Sequence, residues 1–192
     1  TMKVCRIGNL VSRQIHIRDI VRPYLSQLSR EFEESVSLAI EQNFHVVYVD
    51  VVDGPDHMLQ TLQRIGKIAP LHGTGVGKCL LLGFHEARLE ELVKRQGLPA
   101  LTPHTIHSLQ NLRKELETVR QQGWAVDNEE CEIGARCVAA PIRDYTGRIV
   151  AAISTSGPVF RMTEEKMEYM KIRITQAAKE ISRLLGYEEG TA

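Results

Sequence analysis

The side chains best suited to chemistry lie in the segment 127–158. Asp127 supplies a carboxylate, Cys137 a thiol, and Ser154 and Ser156 two hydroxyls. The surrounding residues predict strands and turns, and residues two apart on a strand share a face. Ser154 and Ser156 are therefore expected to point the same way, onto the floor of a polar cavity. A cross-strand ladder of Ser and Thr side chains is the alternative.

A glycine-rich turn lies upstream, where Gly73-Thr-Gly-Val-Gly-Lys78 opens a short helical stretch. It is not a P-loop, because His72 stands where a glycine is required and Cys79 where Ser or Thr must follow the lysine. A dinucleotide fingerprint fails too, since Lys78 occupies the place of its third glycine. Either the turn simply starts a helix, or its backbone N–H groups approach an anionic ligand.

The sequence gives little support to a catalytic or metal role for these residues. Cys137 lies within an apolar strand, no histidine occurs in a recognised nucleophile motif, and no Gly-x-Ser-x-Gly elbow surrounds the serines. Cys131 and Cys137 have none of the common zinc spacings, so a metal would need His72, Asp127 and Cys137 to converge through the fold. We expect no enzyme, no metal and no cofactor. An enzyme with a Ser/Cys/Asp site on the same strands is the alternative.

The composition is that of an ordinary globular domain. The chain has 192 residues, of which 43% are hydrophobic and 25% charged, with 24 basic and 24 acidic side chains. The basic residues are scattered, whereas a DNA-binding surface is typically a basic stripe. No apolar run has membrane-spanning length and the four cysteines form no CxxC pair, so we expect a cytoplasmic protein with reduced thiols.

The spacing of apolar residues predicts an α+β fold. A first helix is expected from Ile17 through Phe32, with Asp19 as its cap and Pro23 in its first turn, and Thr163 is expected to cap a long final helix. Further helical stretches are predicted at 75–82, 86–96 and 105–122. Strands are predicted at 35–41, 45–52, 58–64 (the weakest), 124–127, 136–143 and 148–156. A helix, a hairpin, a helical insertion, antiparallel strands and a closing helix make an α+β order.

Four motifs, in this order, make the chain resemble one known family. They are Leu71-His-Gly-Thr-Gly-Val-Gly-Lys78, Asp127-Asn-Glu-Glu130, Gly134-Ala-Arg-Cys137 and Ser154-Thr-Ser-Gly-Pro158. Each is weak alone, but together they resemble the C-terminal effector-binding domain of IclR-type bacterial transcriptional regulators. The resemblance covers nearly the whole chain, from about residue 17 to residue 186.

The resemblance implies a fold and a domain organisation. The fold would be a GAF-like antiparallel sheet flanked by helices. Residues 1–16 would be a linker remnant and 17–192 the effector-binding domain. The family's N-terminal winged helix-turn-helix would be absent from this chain.

The resemblance also implies a function. A small carboxylate-type metabolite would bind and shift the DNA affinity of the full protein, which would form dimers or tetramers and contact DNA only through the missing N-terminal domain. Asp127 would accept a hydrogen bond from a ligand hydroxyl, and Cys137 with Ala135 would form a wall. The implied ligand-binding residues are Gly75, Val76, Asp127, Ala135, Cys137, Ser154 and Ser156.

Overall fold

The computed structural model describes residues 17–55 and 63–188, which contain five helices and six strands. The helices are α1 (Ile17–Phe32), α2 (Gly75–Leu81), α3 (Glu86–Gln96), α4 (Leu109–Gln122) and α5 (Glu164–Leu184). The strands are β1 (Ser35–Gln42), β2 (His45–Val52), β3 (Ile68–Pro70), β4 (Ala125–Asn128), β5 (Ala135–Arg143) and β6 (Ile149–Pro158). None of the described helices is both long and apolar enough to cross a membrane.

The strands form one antiparallel sheet in the order β3-β2-β1-β6-β5-β4. Asn43 and Phe44 turn the chain between β1 and β2, and both have positive φ, 50° and 64°, as the favoured two-residue hairpin loop requires. The sheet is flanked by helices on both faces. The predicted α+β fold, an antiparallel sheet with flanking helices, is confirmed.

Two apolar cores lie on opposite faces of the sheet. Helices α1 and α5 cover one face, where Leu25 and Ile174 meet residues such as Ile153. Helices α2, α3 and α4 cover the other, where Val76 and Leu112 belong to the buried cluster. Because successive strand residues point to opposite faces, β6 presents its even-numbered residues, 152, 154 and 156, to the second face. The chemistry-bearing serines therefore lie beneath α2.

Most predicted elements are confirmed. Two details of the helix starts are wrong, the capping residue of α1 and the first residue of α4, and each has a local cause. Helix α1 begins at Ile17, so Asp19 lies in its first turn and Pro23 inside the helix. The missing N–H of Pro23 costs one helical hydrogen bond, which the buried apolar face of α1 outweighs. Helix α4 begins at Leu109 and not at 105, because the Ser108 hydroxyl caps it by accepting the N–H of Asn111 at 3.2 Å.

The edge of the sheet beside β2 was the least predictable part. The weak strand predicted at 58–64 lies almost entirely outside the described residues. Strand β3 was not predicted at all, because three residues are too few to show alternation.

At the other end of the chain, Thr163 caps α5 as expected, by accepting the N–H of Lys166.

Candidate functional site

Strand register brings the predicted site residues into two neighbouring rows. Asp127 pairs with Cys137, which pairs with Ser156, and in the next row Ser154 lies opposite Ala139 and Ser37. Directly paired residues of an antiparallel sheet project to the same face. Asp127, Cys137, Ser154 and Ser156 therefore share the face under α2, and all four are buried.

The start of α2 lies directly on these rows. A Cβ atom on Gly75 would stand 3.1 Å from Cys137 Sγ and 3.2 Å from the Cβ of Ala139, so glycine allows the close approach. The Thr74 hydroxyl caps the helix by accepting the N–H of Gly77 at 3.2 Å. Gly75 and Val76 are first-turn residues, whose N–H groups have no partner within a helix.

Ala135 marks the outer end of the site. It begins β5, shares the parity of Cys137 and pairs with Pro158. Its carbonyl accepts the N–H of Glu129 at 3.0 Å, which closes the loop between β4 and β5. Ala135 is half-buried, so it stands where the shared face meets solvent.

Both serine hydroxyls form hydrogen bonds with neighbouring side chains. Ser154 Oγ lies 2.9 Å from Ser37 Oγ, with either atom able to be the donor, and Gln63 Nε2 donates to Ser156 Oγ at 2.8 Å. A hydroxyl carries one donor and two acceptor positions, so each serine can exchange one of these bonds for a bond to a ligand. The cross-strand serine ladder, the alternative considered for this motif, is present for Ser154 and Ser37.

Asp127 is a buried carboxyl group whose charge is poorly solvated. Its Oδ1 accepts the N–H of Glu130 at 2.8 Å and that of Cys131 at 3.2 Å. Burial raises the pKa of Asp127 to about 7 despite these hydrogen bonds, and the charge of Glu130 raises it further. Near neutral pH this group can thus either accept or donate a hydrogen bond.

Lys78 is a member of this region that sequence reasoning missed. Its side chain is 1% exposed, and its Nζ donates to Glu130 at 2.7 Å and to Glu115 at 3.0 Å. Burial opposes the charged amine, but the two carboxylates outweigh it and raise the pKa of Lys78. Acidic runs are usually solvated, but Glu130 is buried. The sequence signal that could have indicated burial is a lysine within a short helix whose neighbouring residues are apolar.

Tyr48 is the second missed residue. It lies on β2, pairs with Ala39 and is 6% exposed, within the same buried cluster as Cys137. Burial raises the pKa of Tyr48 far above its ordinary value. Its strand looked like an ordinary apolar strand, so nothing in the sequence distinguished this tyrosine.

The cysteines of the site are neutral thiols. Burial raises the pKa of Cys137 to about 12, although hydrogen bonds from the two serines oppose the shift. Burial also raises the pKa of Cys79 above its ordinary range. A nucleophilic cysteine needs the opposite shift. Across the described ranges, no three His, Cys, Asp or Glu side chains are grouped to hold a metal ion. The arrangement suits hydrogen bonding to a guest molecule.

Comparison with known proteins gives one consistent result. The family described as "Bacterial transcriptional regulator IclR C-terminal" matches residues 10–183. The regulator XynR of Escherichia coli (strain K12) is 33% identical over 186 residues, which cover 97% of this chain and 73% of XynR. The repressor AllR of Salmonella paratyphi A is 36% identical over 189 residues, 97% of this chain and 69% of AllR. These relatives are named regulators, which confirms the expectation of a protein that is not an enzyme.

Solved structures agree with the sequence comparison. The Thermotoga maritima IclR structure superposes with a TM-score of 0.83 at 39% identity, covering 96% of this chain and 74% of that one. The C-terminal domain of E. coli KdgR superposes with a TM-score of 0.79 at 30% identity, covering 89% of this chain and 99% of that domain. The second match spans nearly all of the KdgR C-terminal domain.

Proposed function

We infer the function from a premise that the comparisons establish: this chain belongs to the IclR family of bacterial transcriptional regulators and corresponds to their C-terminal domain. We propose that it senses a small carboxylate-type metabolite and joins subunits into a dimer or tetramer. Ligand binding then changes the DNA affinity of the full regulator. In this proposal the regulator acts in the cytoplasm and contacts DNA outside residues 17–192.

The observation that carries the proposal is the pair of buried rows beneath α2. Four hydrogen-bonding side chains lie on one sheet face, and two of them are the serine hydroxyls of β6. Buried polar groups cost free energy unless they are paired, so such a face is suited to a polar ligand. A carboxylate would accept bonds from Ser154 and Ser156 and from the first-turn N–H groups of Gly75 and Val76.

The remaining residues define the shape and chemistry of the guest. Cys137 and Ala135 form an uncharged wall, and Asp127 binds a ligand hydroxyl as acceptor or donor. Lys78 contributes no free positive charge, because Glu130 and Glu115 both bond to its amine. The proposed site therefore holds an anion with neutral donors, which favours a small hydroxylated monocarboxylate over a multivalent anion.

A domain with a similar fold has been solved in complex with a molecule of this class. The inducer-binding domain of the Acinetobacter transcription factor PobR, in a double mutant, was solved as a complex with 3-hydroxybenzoic acid. It superposes with a TM-score of 0.81 at 24% identity, covering 88% of this chain and 99% of that domain. That likeness concerns the fold alone, and it supports the choice of ligand size and class.

A β-bulge offers a route from the proposed site to α1. The register between β1 and β2 shifts after Tyr48, so Tyr48 faces the ligand side while Asp50 faces α1. The fully buried Asp50 carboxylate accepts a hydrogen bond from Arg22 and forms an ion pair with Arg18, both on α1. In our proposal a ligand that displaces Tyr48 biases the position of α1, a shift between two states of the assembly.

Native mass spectrometry of the purified chain tests the proposal. We expect a bound anion of low molecular mass, released on denaturation, or binding of at least one member of a panel of hydroxylated and plain monocarboxylates. The Ser154→Ala variant should lose this mass. Thr155→Val is the matched control, because its side chain is equally buried but points to the opposite face. Equal ligand occupancy in the Ser154→Ala and Thr155→Val proteins would refute the proposed site.

A further inference from the structure

We propose that a second cleft, remote from the site under α2, binds a small multivalent anion. It lies where β5 runs past the end of β4, whose pairing with β5 stops at Ala139. The end of α4 and the C-terminal half of α5 form its sides, and its volume is about 310 Å³. This is enough space for a diphosphate or a sugar phosphate, which is smaller than a drug-sized ligand.

Positive charge is the dominant property of the cleft. Arg120, Arg143, Lys179 and Arg183 line it, and no carboxylate does, although the whole chain carries 24 basic and 24 acidic residues. Charges within one cleft lie inside the screening length of physiological salt, about 8 Å, so their potentials add. The sequence does not reveal this cluster of basic side chains, because the four residues come from three separate elements.

The described neighbours of the three arginines leave most of the arginine charge uncompensated. Arg143 donates to the neutral carbonyl of Gly147 at 2.9 Å, and Arg183 has no ion-pair partner among the described residues. Arg120 pairs with the exposed Glu117, a contact that is worth little in water. Arg120 also offsets the negative end of α4, since it lies in the last turn of that helix.

Two further features indicate a ligand. Thr175 lines the cleft, and its Oγ1 is buried without a hydrogen-bond partner in the described part of the chain, a situation that a bound oxyanion would resolve. Pro141, on the uncovered edge of β5, has no N–H, so this edge offers no donor there to an added strand. Side-chain donors therefore dominate the cleft, and they suit phosphate or carboxylate oxygens.

Calorimetric titration with inorganic pyrophosphate tests the assignment. We expect saturable binding that weakens at least fivefold in Arg183→Ala and in Lys179→Ala, and that weakens as salt is raised. Arg30→Ala is the matched control, an exposed arginine on α1, and should change the affinity less than twofold. Thr175→Val keeps every charge and removes only the unpartnered hydroxyl, so it should weaken binding without destabilising the free protein.

Three outcomes would overturn the assignment. They are equal affinities in the Arg183→Ala, Lys179→Ala and Arg30→Ala proteins, acetate binding as tightly as pyrophosphate, and saturable binding of duplex DNA alone. Ser154→Ala should leave pyrophosphate binding unchanged, because Ser154 lies beneath α2 and not in this cleft. The proposal of a second site and the proposal of an effector site can therefore be refuted independently.

Discussion

Removing the buried amine of Lys78 should have a large, pH-dependent effect on stability. The Lys78→Met substitution keeps most of the side-chain volume but leaves Glu130, 7% exposed, without its cation. Breaking a buried ion pair in this way costs about 3–5 kcal/mol. Protonation of the unpaired carboxyl sets an upper limit on the loss of stability, because neutralising an ordinary glutamate at pH 7 costs about 3.7 kcal/mol.

The free-energy cost of protonating Glu130 decreases as the pH is lowered, so the expected loss of stability depends on pH. At pH 5 the same neutralisation costs only about 1 kcal/mol. We therefore expect Lys78→Met to lower the free energy of unfolding by about 3–4 kcal/mol at pH 7 and by about 1 kcal/mol at pH 5. Glu115→Gln should cost much less at pH 7, because the Glu115 side chain is 30% exposed.

Urea unfolding of the three proteins at both pH values, at one protein concentration, measures these differences. A fixed concentration matters because assembly of subunits would contribute to apparent stability. A loss below about 1 kcal/mol at pH 7, or a loss of equal size at pH 5, would refute the reasoning. Either result would mean that water or another cation reaches Glu130.

Three further predictions concern the strands that carry the site. Because the pKa of Asp127 is raised to about 7 in the folded state, the folded protein holds a proton that the unfolded chain releases. Stability should then fall by about 2–3 kcal/mol from pH 5 to pH 8, and this dependence should be absent in Asp127→Asn on urea unfolding. Gly157→Ala should destabilise by about 2 kcal/mol or more, since its Cβ would stand 2.6 Å from the Glu34 carboxylate; an unchanged melting temperature would contradict this. With its pKa near 12, Cys137 should react with a disulfide reagent at pH 8 only as fast as the protein unfolds, and a rapid reaction would show an exposed thiolate.

The sequence predicted the shared face well because strand parity is a local property. Ser154 and Ser156 are two residues apart, and the hairpin turn after Arg143 aligns Cys137 with Ser156. The position of Gly75 came from the family resemblance, and its physical reason, close contact with Cys137 Sγ, is visible only in three dimensions.

The sequence could not predict which charged side chains are buried. Lys78 and Glu130 are 52 positions apart, and their pairing depends on how α2 packs against the loop after β4. An acidic run is usually solvated, so the local sequence gives no sign that Glu130 is buried. Tyr48 and Asp50 show the same limit: alternation alone would place them on one face, and only the bulge in β2 sends them to opposite faces.

The most direct test of the proposed function is a calorimetric comparison of two adjacent residues on β6, with the ligand that mass spectrometry identifies. A hydrogen bond from a hydroxyl to a charged ligand is worth about 1.5–3 kcal/mol, or roughly tenfold to a hundredfold in affinity. We predict that Ser154→Ala weakens binding by at least tenfold. Thr155→Val, on the opposite face, should bind as the unmodified protein does. Equal affinities for the two variants would contradict a ligand site beneath α2.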